Sequence, residues 1–231
     1  MTLLTAASPS QAVLGATPSR VCPAAVASPR SEAAAAQSQR KRAFDLVAAA
    51  LALLLFLPLL CLIAAAIRLE SGGPVLFRQA RTGLGGEPFR IFKFRTMRVA
   101  EDGPTVTQAT RGDARVTPLG AVLRKLSLDE LPQLLNVLRG EMSFVGPRPH
   151  AVSHDLQWAA ALTSYSGRFR ARPGLTGLAQ VQGLRGEITS PEALKARVDA
   201  DIAYIETWSF VGDLKLILRT VPLLFGDARA F

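Results

Sequence analysis

The longest uninterrupted signal in the chain is apolar: from Val47 to Ile67 every residue is hydrophobic or proline. A helix needs ~20 such residues to cross the hydrocarbon core of a bilayer, so the run predicts a membrane helix over 40–68. Pro58, near its middle, removes a backbone hydrogen bond and crowds the preceding turn, at about 3 kcal/mol in an ordinary helix. Two geometries are open. A kinked helix can span, its freed carbonyls satisfied locally, or a bend can return the chain to the leaflet it left. Arg40, Lys41 and Arg42 precede the run and Arg68, Arg78 and Arg81 follow it. The positive-inside bias therefore pulls both ends to the cytoplasmic side, and a straight span satisfies only one of them.

Elsewhere the pattern is shorter and more varied. Segments 74–77 and 88–94 read as strands joined by the Gly83–Gly86 turn, a small hairpin. Residues 100–118 carry Gly, Pro, Thr and Asp without an apolar period and read as a loop, after which 115–124 leads into a helix ending near Ser127. Leu128, Leu131, Leu134, Leu135 and Leu138 give a helical stripe. A Pro-Gly turn at 172–177 precedes a short strand, 178–181. Ser190 and Pro191 open a helix to about Thr207 with Val198, Ile202 and Ile205 on its apolar face. Residues 208–224 crowd apolar bulk around Lys215 and Arg219, as in an interfacial helix or an ordinary core element with Trp208 buried. Residues 1–39, rich in Ala, Ser, Pro and Thr, read as a disordered tail without signal-peptide pattern. The expected fold class is α/β, mostly helical with short strands: tail 1–39, membrane helix 40–68, and one domain over 69–231.

Charge changes this picture more than size does. The net charge is +9 although 49% of residues are hydrophobic, which suits a basic protein working at a membrane on phosphorylated substrates or anionic lipids. Two cysteines build no disulfide framework. His150 and His154, with Asp155 beside them, have helical spacing for a metal but no further spaced ligand.

The candidate chemistry centres on residues 127–149. Ser127 and Glu130 fit the S-x-x-E capping box, in which Glu130 only satisfies a backbone N–H; equally, Asp129 and Glu130 place two adjacent carboxylates at a helix start. Residues 68–98 hold seven basic and two acidic side chains. Lys93 and Arg95, two apart on a strand, share a face and together present an ammonium and a guanidinium suited to a diphosphate. Gly146-Pro147-Arg148-Pro149 fixes the backbone on both sides of Arg148, as a rigid turn or as a phosphate-binding arginine.

Six blocks in one order carry a resemblance: Lys41-Arg42-Ala-Phe-Asp45, Gly73-Pro74 to Gly83, Phe92-Lys93-Phe-Arg95-Thr96-Met97, Ser127-Leu-Asp129-Glu130-Leu-Pro132-Gln133, Gly140-Glu141-Met-Ser143 to Pro149, and Arg172-Pro173-Gly174-Leu-Thr176-Gly177. Together they resemble the small monotopic phosphoglycosyl transferases, bacterial enzymes that move a sugar 1-phosphate from a nucleotide sugar to polyprenyl phosphate. The resemblance implies Asp129 as nucleophile, Glu130 as catalytic partner and Mg²⁺ ligand, and Lys93, Arg95, Arg148 and Arg81 as substrate-binding residues. It further implies a re-entrant membrane hairpin with interfacial amphipathic helices, at the cytoplasmic face of the bacterial inner membrane. The partners it implies are a UDP-sugar donor, glucose first, an undecaprenyl phosphate acceptor and the lipid bilayer, with no nucleic acid and room for a homodimer; the product starts an exopolysaccharide repeat unit. Gln182 and Arg185 depart from the family's usual Asn-Gly-Arg. Two other classes fit parts of the pattern: a non-catalytic membrane scaffold, and a basic membrane-tethered nucleic-acid binder.

Overall fold

The apolar run becomes α2 (Gln39–Ser71), a helix of 33 residues whose helical backbone continues through Pro58. The computed structural model describes residues 32–98, 110, 112–186 and 188–226. Of the stretch expected to be a tail, residues 1–31 lie outside the described residues, while Ala33, Ala35 and Ala36 are buried in and beside the short helix α1 (Ala34–Gln37). Residues 99–109 and 111 of the expected loop are likewise outside. Ser38 Oγ accepts from Lys41 N at the start of α2, and Gly72, at a φ of 57°, ends it. A left-handed backbone there suits glycine, which has no Cβ to clash.

Both ends of α2 are fastened to the same domain. At its start Lys41 donates to Asp213 (2.6 Å) and to the Val145 carbonyl (3.0 Å), Arg42 to the carbonyls of Val137 and Leu138, and Asp45 accepts from Phe144 N (3.0 Å). At its end Glu70 accepts from Leu119 N (2.8 Å) and Ser71 from Arg95 (2.8 Å). Between these ties, Ala49, Ala52 and Leu53 pack with Phe89, Ile91 and Leu134, and Ile63 and Ile67 with Phe94 and Leu123. Leu55, Leu62 and Leu69, seven residues apart on one helical face, are 73%, 69% and 87% exposed.

The hairpin forms as the alternation predicts. Strand β1 (Leu76–Thr82) pairs antiparallel with β2 (Pro88–Phe94), Phe77 opposite Lys93, and Gly85 and Gly86 take positive φ in the turn. A second, parallel pair joins β3 (Ser143–Val145) to β4 (Gly174–Thr176). Here the expectation fails: 174–176 is the strand and 178–181 is a helical turn, α6 (Leu178–Val181). The Thr176 carbonyl takes the Gly146 N–H (2.8 Å), and the next carbonyl, that of Gly177, already accepts from Val181 in helical fashion (3.1 Å). Gly146, Gly174 and Gly177 approach so closely that a Cβ on any of them would strike the opposite backbone.

The remaining helices cover these sheets. They are α3 (Pro118–Lys125), α4 (Leu134–Arg139), α5 (Val152–Ala161), α7 (Pro191–Glu206) and α8 (Phe210–Gly226). Ser190 caps α7 by accepting from Ala193 N. Helix α8 buries Leu216 but exposes Val211, Leu214, Leu218 and Val221 along one side, and half-buried Trp208 donates to Asp213 (3.0 Å).

Candidate active site

The acid pair is presented by a 3₁₀ stretch, Leu128–Gln133, which follows Ser127 in a left-handed conformation (φ 55°) and continues into α4. The capping box does not form. Ser127 Oγ accepts from Arg185 (3.0 Å), and the Glu130 carboxylate is held by Lys93 (2.9 Å) and Arg148 (2.7 and 3.4 Å). Charge-assisted bonds of this kind are roughly twice as strong as neutral ones, so two cations outcompete a single backbone N–H. Lys93 is positioned through its strand. The buried Asn136 side chain accepts from Phe92 N (2.9 Å) and donates to the Arg90 carbonyl (2.7 Å), replacing the neighbouring strand that β2 lacks on that edge.

Burial and charge drive the two carboxyls apart. Asp129 is pushed up to about 6 by burial, with Lys93 opposing and Glu130 adding to the rise. Burial would raise Glu130 too, but Arg148 and Lys93 outweigh it and hold that carboxyl well below the usual range. Burial lowers Lys93 against the pull of Glu130, and Glu130 raises Arg148. Among the described residues none donates a hydrogen bond to the Asp129 carboxylate. One carboxylate is therefore a locked anion and its neighbour an unengaged one that ionises close to neutrality, the separation of roles that acid pairs in catalysis require.

A second charged network underlies the loop that carries Arg148. Arg168, on a 3₁₀ turn (Tyr165–Arg170), donates to the Arg148 carbonyl (2.6 Å), to Asp201 (2.8 and 3.1 Å) and to Tyr165 (2.9 Å), and Tyr165 donates to Asp155 (2.5 Å). His150 belongs to this network: its Nδ1 lies 2.5 Å from Arg168, and burial together with Arg168 keeps its pKa well below the ordinary value. His150 and His154 both pack on Trp158, at centroid distances of 4.8 and 5.2 Å. Among the described residues no three metal-ligating side chains gather.

Of the residues singled out in the sequence, Asp129, Glu130, Lys93 and Arg148 come together. Arg81 donates to the Pro149 carbonyl (3.3 Å) and braces the loop from behind. Arg95 turns the other way, to Ser71 and Gly72 at the end of α2. Strand β2 ends at Phe94, so the shared-face relation to Lys93 stops one residue short. Sequence reading missed Arg168, Asp201, Tyr165 and Asn136, and it treated Arg185 only as a displaced motif residue. The Tyr165 and Arg168 pair, three apart, was a signal for adjacency on a helical turn; the partner Asp201, 33 residues on, had none.

A domain tied to both ends of an apolar helix, with an acid pair set among arginines and a lysine, defines a class: an enzyme that handles anionic substrates beside an apolar phase. The chain belongs to the bacterial sugar transferase family, whose model matches residues 36–227. It is 61% identical over 192 residues to the UDP-glucose:undecaprenyl-phosphate glucose-1-phosphate transferase of Caulobacter vibrioides, covering 83% of this chain and 72% of that protein. A protein of the same name from Escherichia coli K12 is 51% identical over 83% of this chain, which spans only 41% of that longer relative. The exopolysaccharide production protein PSS of Rhizobium leguminosarum is 44% identical, with 83% of this chain and 98% of that protein covered. Family membership makes the chain an enzyme, a phosphoglycosyl transferase, in place of a scaffold.

Proposed function

We propose that the chain transfers glucose 1-phosphate from UDP-glucose to undecaprenyl phosphate, by way of a phosphosugar carried on Asp129, as the first step of an exopolysaccharide repeat unit. The observation that carries this reading is the Asp129 carboxylate: buried, without a donor among the described residues, its pKa pushed up to about 6 by burial, and next to a carboxylate clamped by Lys93 and Arg148. A carboxylate oxygen attacks the phosphorus next to glucose, the bond from that phosphorus to the bridging oxygen breaks, and uridine monophosphate leaves with the electron pair. The acyl phosphate is then attacked by an oxygen of the lipid phosphate, which releases the Asp129 carboxylate and yields a lipid diphosphate sugar. Splitting the transfer into two displacements is what a covalent nucleophile contributes. Lys93 and Arg148 hold the diphosphate oxygens, and Glu130 keeps both cations oriented between turnovers.

The carboxylates also fit Mg²⁺, which takes one or two protein carboxylates plus substrate phosphates. Glu130 Oε2 has a single long contact, to Arg148 at 3.4 Å, and Asp129 lies beside it. Mg²⁺ held there would neutralise charge on the diphosphate.

The fastening of both ends of α2 to one domain supports a re-entrant helix that leaves and re-enters the bilayer on the cytoplasmic side. A spanning helix of 33 residues, ~50 Å long at 1.5 Å per residue, would deliver its ends to opposite faces. The exposed apolar side of α8 supports its lying at the same interface. Cysteines introduced at positions 39 and 70 are expected to react with an impermeant thiol reagent from one side only; reaction from opposite sides overturns the re-entrant reading.

The reaction itself is tested with donor alone. Incubation of purified protein with UDP-glucose is expected to release uridine monophosphate stoichiometrically and add one hexose phosphate to the protein mass, with neither in Asp129→Asn. Full adduct in that variant would remove Asp129 from the nucleophile's role, and release that survives chelation would remove Mg²⁺ from the reaction.

A further inference from the structure

At the far end of α2 three elements meet around a cavity of about 320 Å³. Glu70 and Ser71 come from the end of the helix, Arg95 and Arg98 from the chain just beyond β2, and Thr117 and Pro118 from the start of α3. The walls are fixed. A Cβ on Gly120 would collide with the Thr96 carbonyl, so α3 sits directly on the backbone between the two arginines. Arg95 is held by Ser71 Oγ (2.8 Å) and the Gly72 carbonyl, and its guanidinium lies where a Cβ on Gly73 would meet it at 2.6 Å. Glu70 directs one oxygen to Leu119 N (2.8 Å), and Thr117 Oγ1 is taken by Gly120 N (2.9 Å). Arg98 is exposed and its side chain has no partner among the described residues. Two guanidinium groups against one carboxylate leave the cavity cationic.

Its surroundings are apolar. Leu69, beside Glu70, ends the exposed stripe of Leu55, Leu62 and Leu69, and Val122 and Leu126 of α3 and its C-terminal cap are 53% and 42% exposed. A cationic recess at the foot of an apolar helical stripe matches a molecule with an anionic head and a hydrocarbon tail. We propose that this cavity seats the phosphate group of a membrane lipid on Arg95 and Arg98, with the hydrocarbon lying along the α2 stripe. It is separate from the Glu130 cluster, whose cations are Lys93 and Arg148. The phosphate can be the diester of a glycerophospholipid or the monoester of a polyprenyl lipid.

The test uses the full chain, delipidated in detergent, with phosphatidylglycerol and undecaprenyl phosphate added separately and retained lipid counted by native mass spectrometry. Each of Arg98→Ala and Arg95→Ala is expected to lower retention about fivefold, the effect of one basic residue at an anionic lipid surface, and Arg95→Lys to keep most of it. Loss confined to phosphatidylglycerol marks a phospholipid seat; loss confined to undecaprenyl phosphate marks a polyprenyl phosphate seat apart from the reacting centre. Unchanged retention of both lipids in Arg98→Ala, with an unchanged melting temperature, overturns the proposal, as does equal displacement by inorganic phosphate at the lipid's own concentration. The inference rests on α2 being the membrane element. Vesicle flotation of the same variants reports that independently, and Lys195→Ala, an exposed position on α7 outside the cavity, is expected to retain lipid like the unaltered protein.

Discussion

Two charged clusters meet at Arg148, and they are settled in opposite ways. Beneath the loop, Arg168 and Asp201 are 2% and 1% exposed and answer each other through two hydrogen bonds, with Tyr165 and Asp155 completing the set. Above it, Glu130 is just as firmly paired, but Asp129 is buried beside it with no donor among the described residues. The difference lies in the carboxylates: Asp201 and Asp155 each accept from a neighbour, Asp155 through one oxygen only, whereas Asp129 accepts from none of the described residues. Arg148 belongs to both: its carbonyl is held from below by Arg168, while its guanidinium faces Glu130.

The sharpest way to break this comparison is Asp129→Asn. Turnover of UDP-glucose is expected to fall at least ~10³-fold, as for loss of a nucleophile, yet the protein is expected to become more stable. The folded-state pKa of about 6 lies above the ordinary aspartate value of 3.8, so the folded protein binds the extra proton. Stability from this group is complete below the unfolded pKa and lost as pH rises through about 6. At pH 8 the amide avoids that loss, and a gain of up to about 3 kcal/mol follows from the size of the shift. Denaturant midpoints at pH 8 check it; a loss of stability would mean that Asp129 is matched after all.

Arg168→Ala should do the reverse in the lower cluster, leaving Asp201 uncompensated at a cost of roughly 3–5 kcal/mol, read as a drop in melting temperature. Arg148→Lys keeps the charge but not the fork. One lost charge-assisted bond, about 1.5 kcal/mol, corresponds to about a tenfold fall in kcat/KM with little change in melting temperature. The smallest effect is that of pH near neutrality, about a twofold fall at pH 6. Uridine monophosphate release should be flat between pH 7 and 8 and fall as Asp129 protonates through about 6, by a factor approaching ten per unit below that; an inflection near 4 would show that burial does not control this carboxyl.

What the sequence disclosed follows from how far each signal reaches. The long apolar helix, the hairpin and α7 were legible because their patterns are local. The same locality misled at Ser127 and Glu130, where the capping box is a four-residue pattern while the partners that win, Lys93 and Arg148, stand 37 and 18 residues away. Asn136 looked like one polar residue on a leucine helix, and nothing nearby announced that it completes the edge of β2. Gly174 and Gly177 lie in the stretch that reads as a Pro-Gly turn. In the structure they serve a close approach to the backbone of Gly146.

Those three glycines carry a consequence for genetics. Adding even a methyl group to any of them would wedge apart β3 and β4 and displace the arginine just beyond them. A screen that scores only lost polymer would rank them with Asp129, although their contribution is clearance. Separating the two kinds of defect takes a measurement of donor affinity on protein that still melts cooperatively.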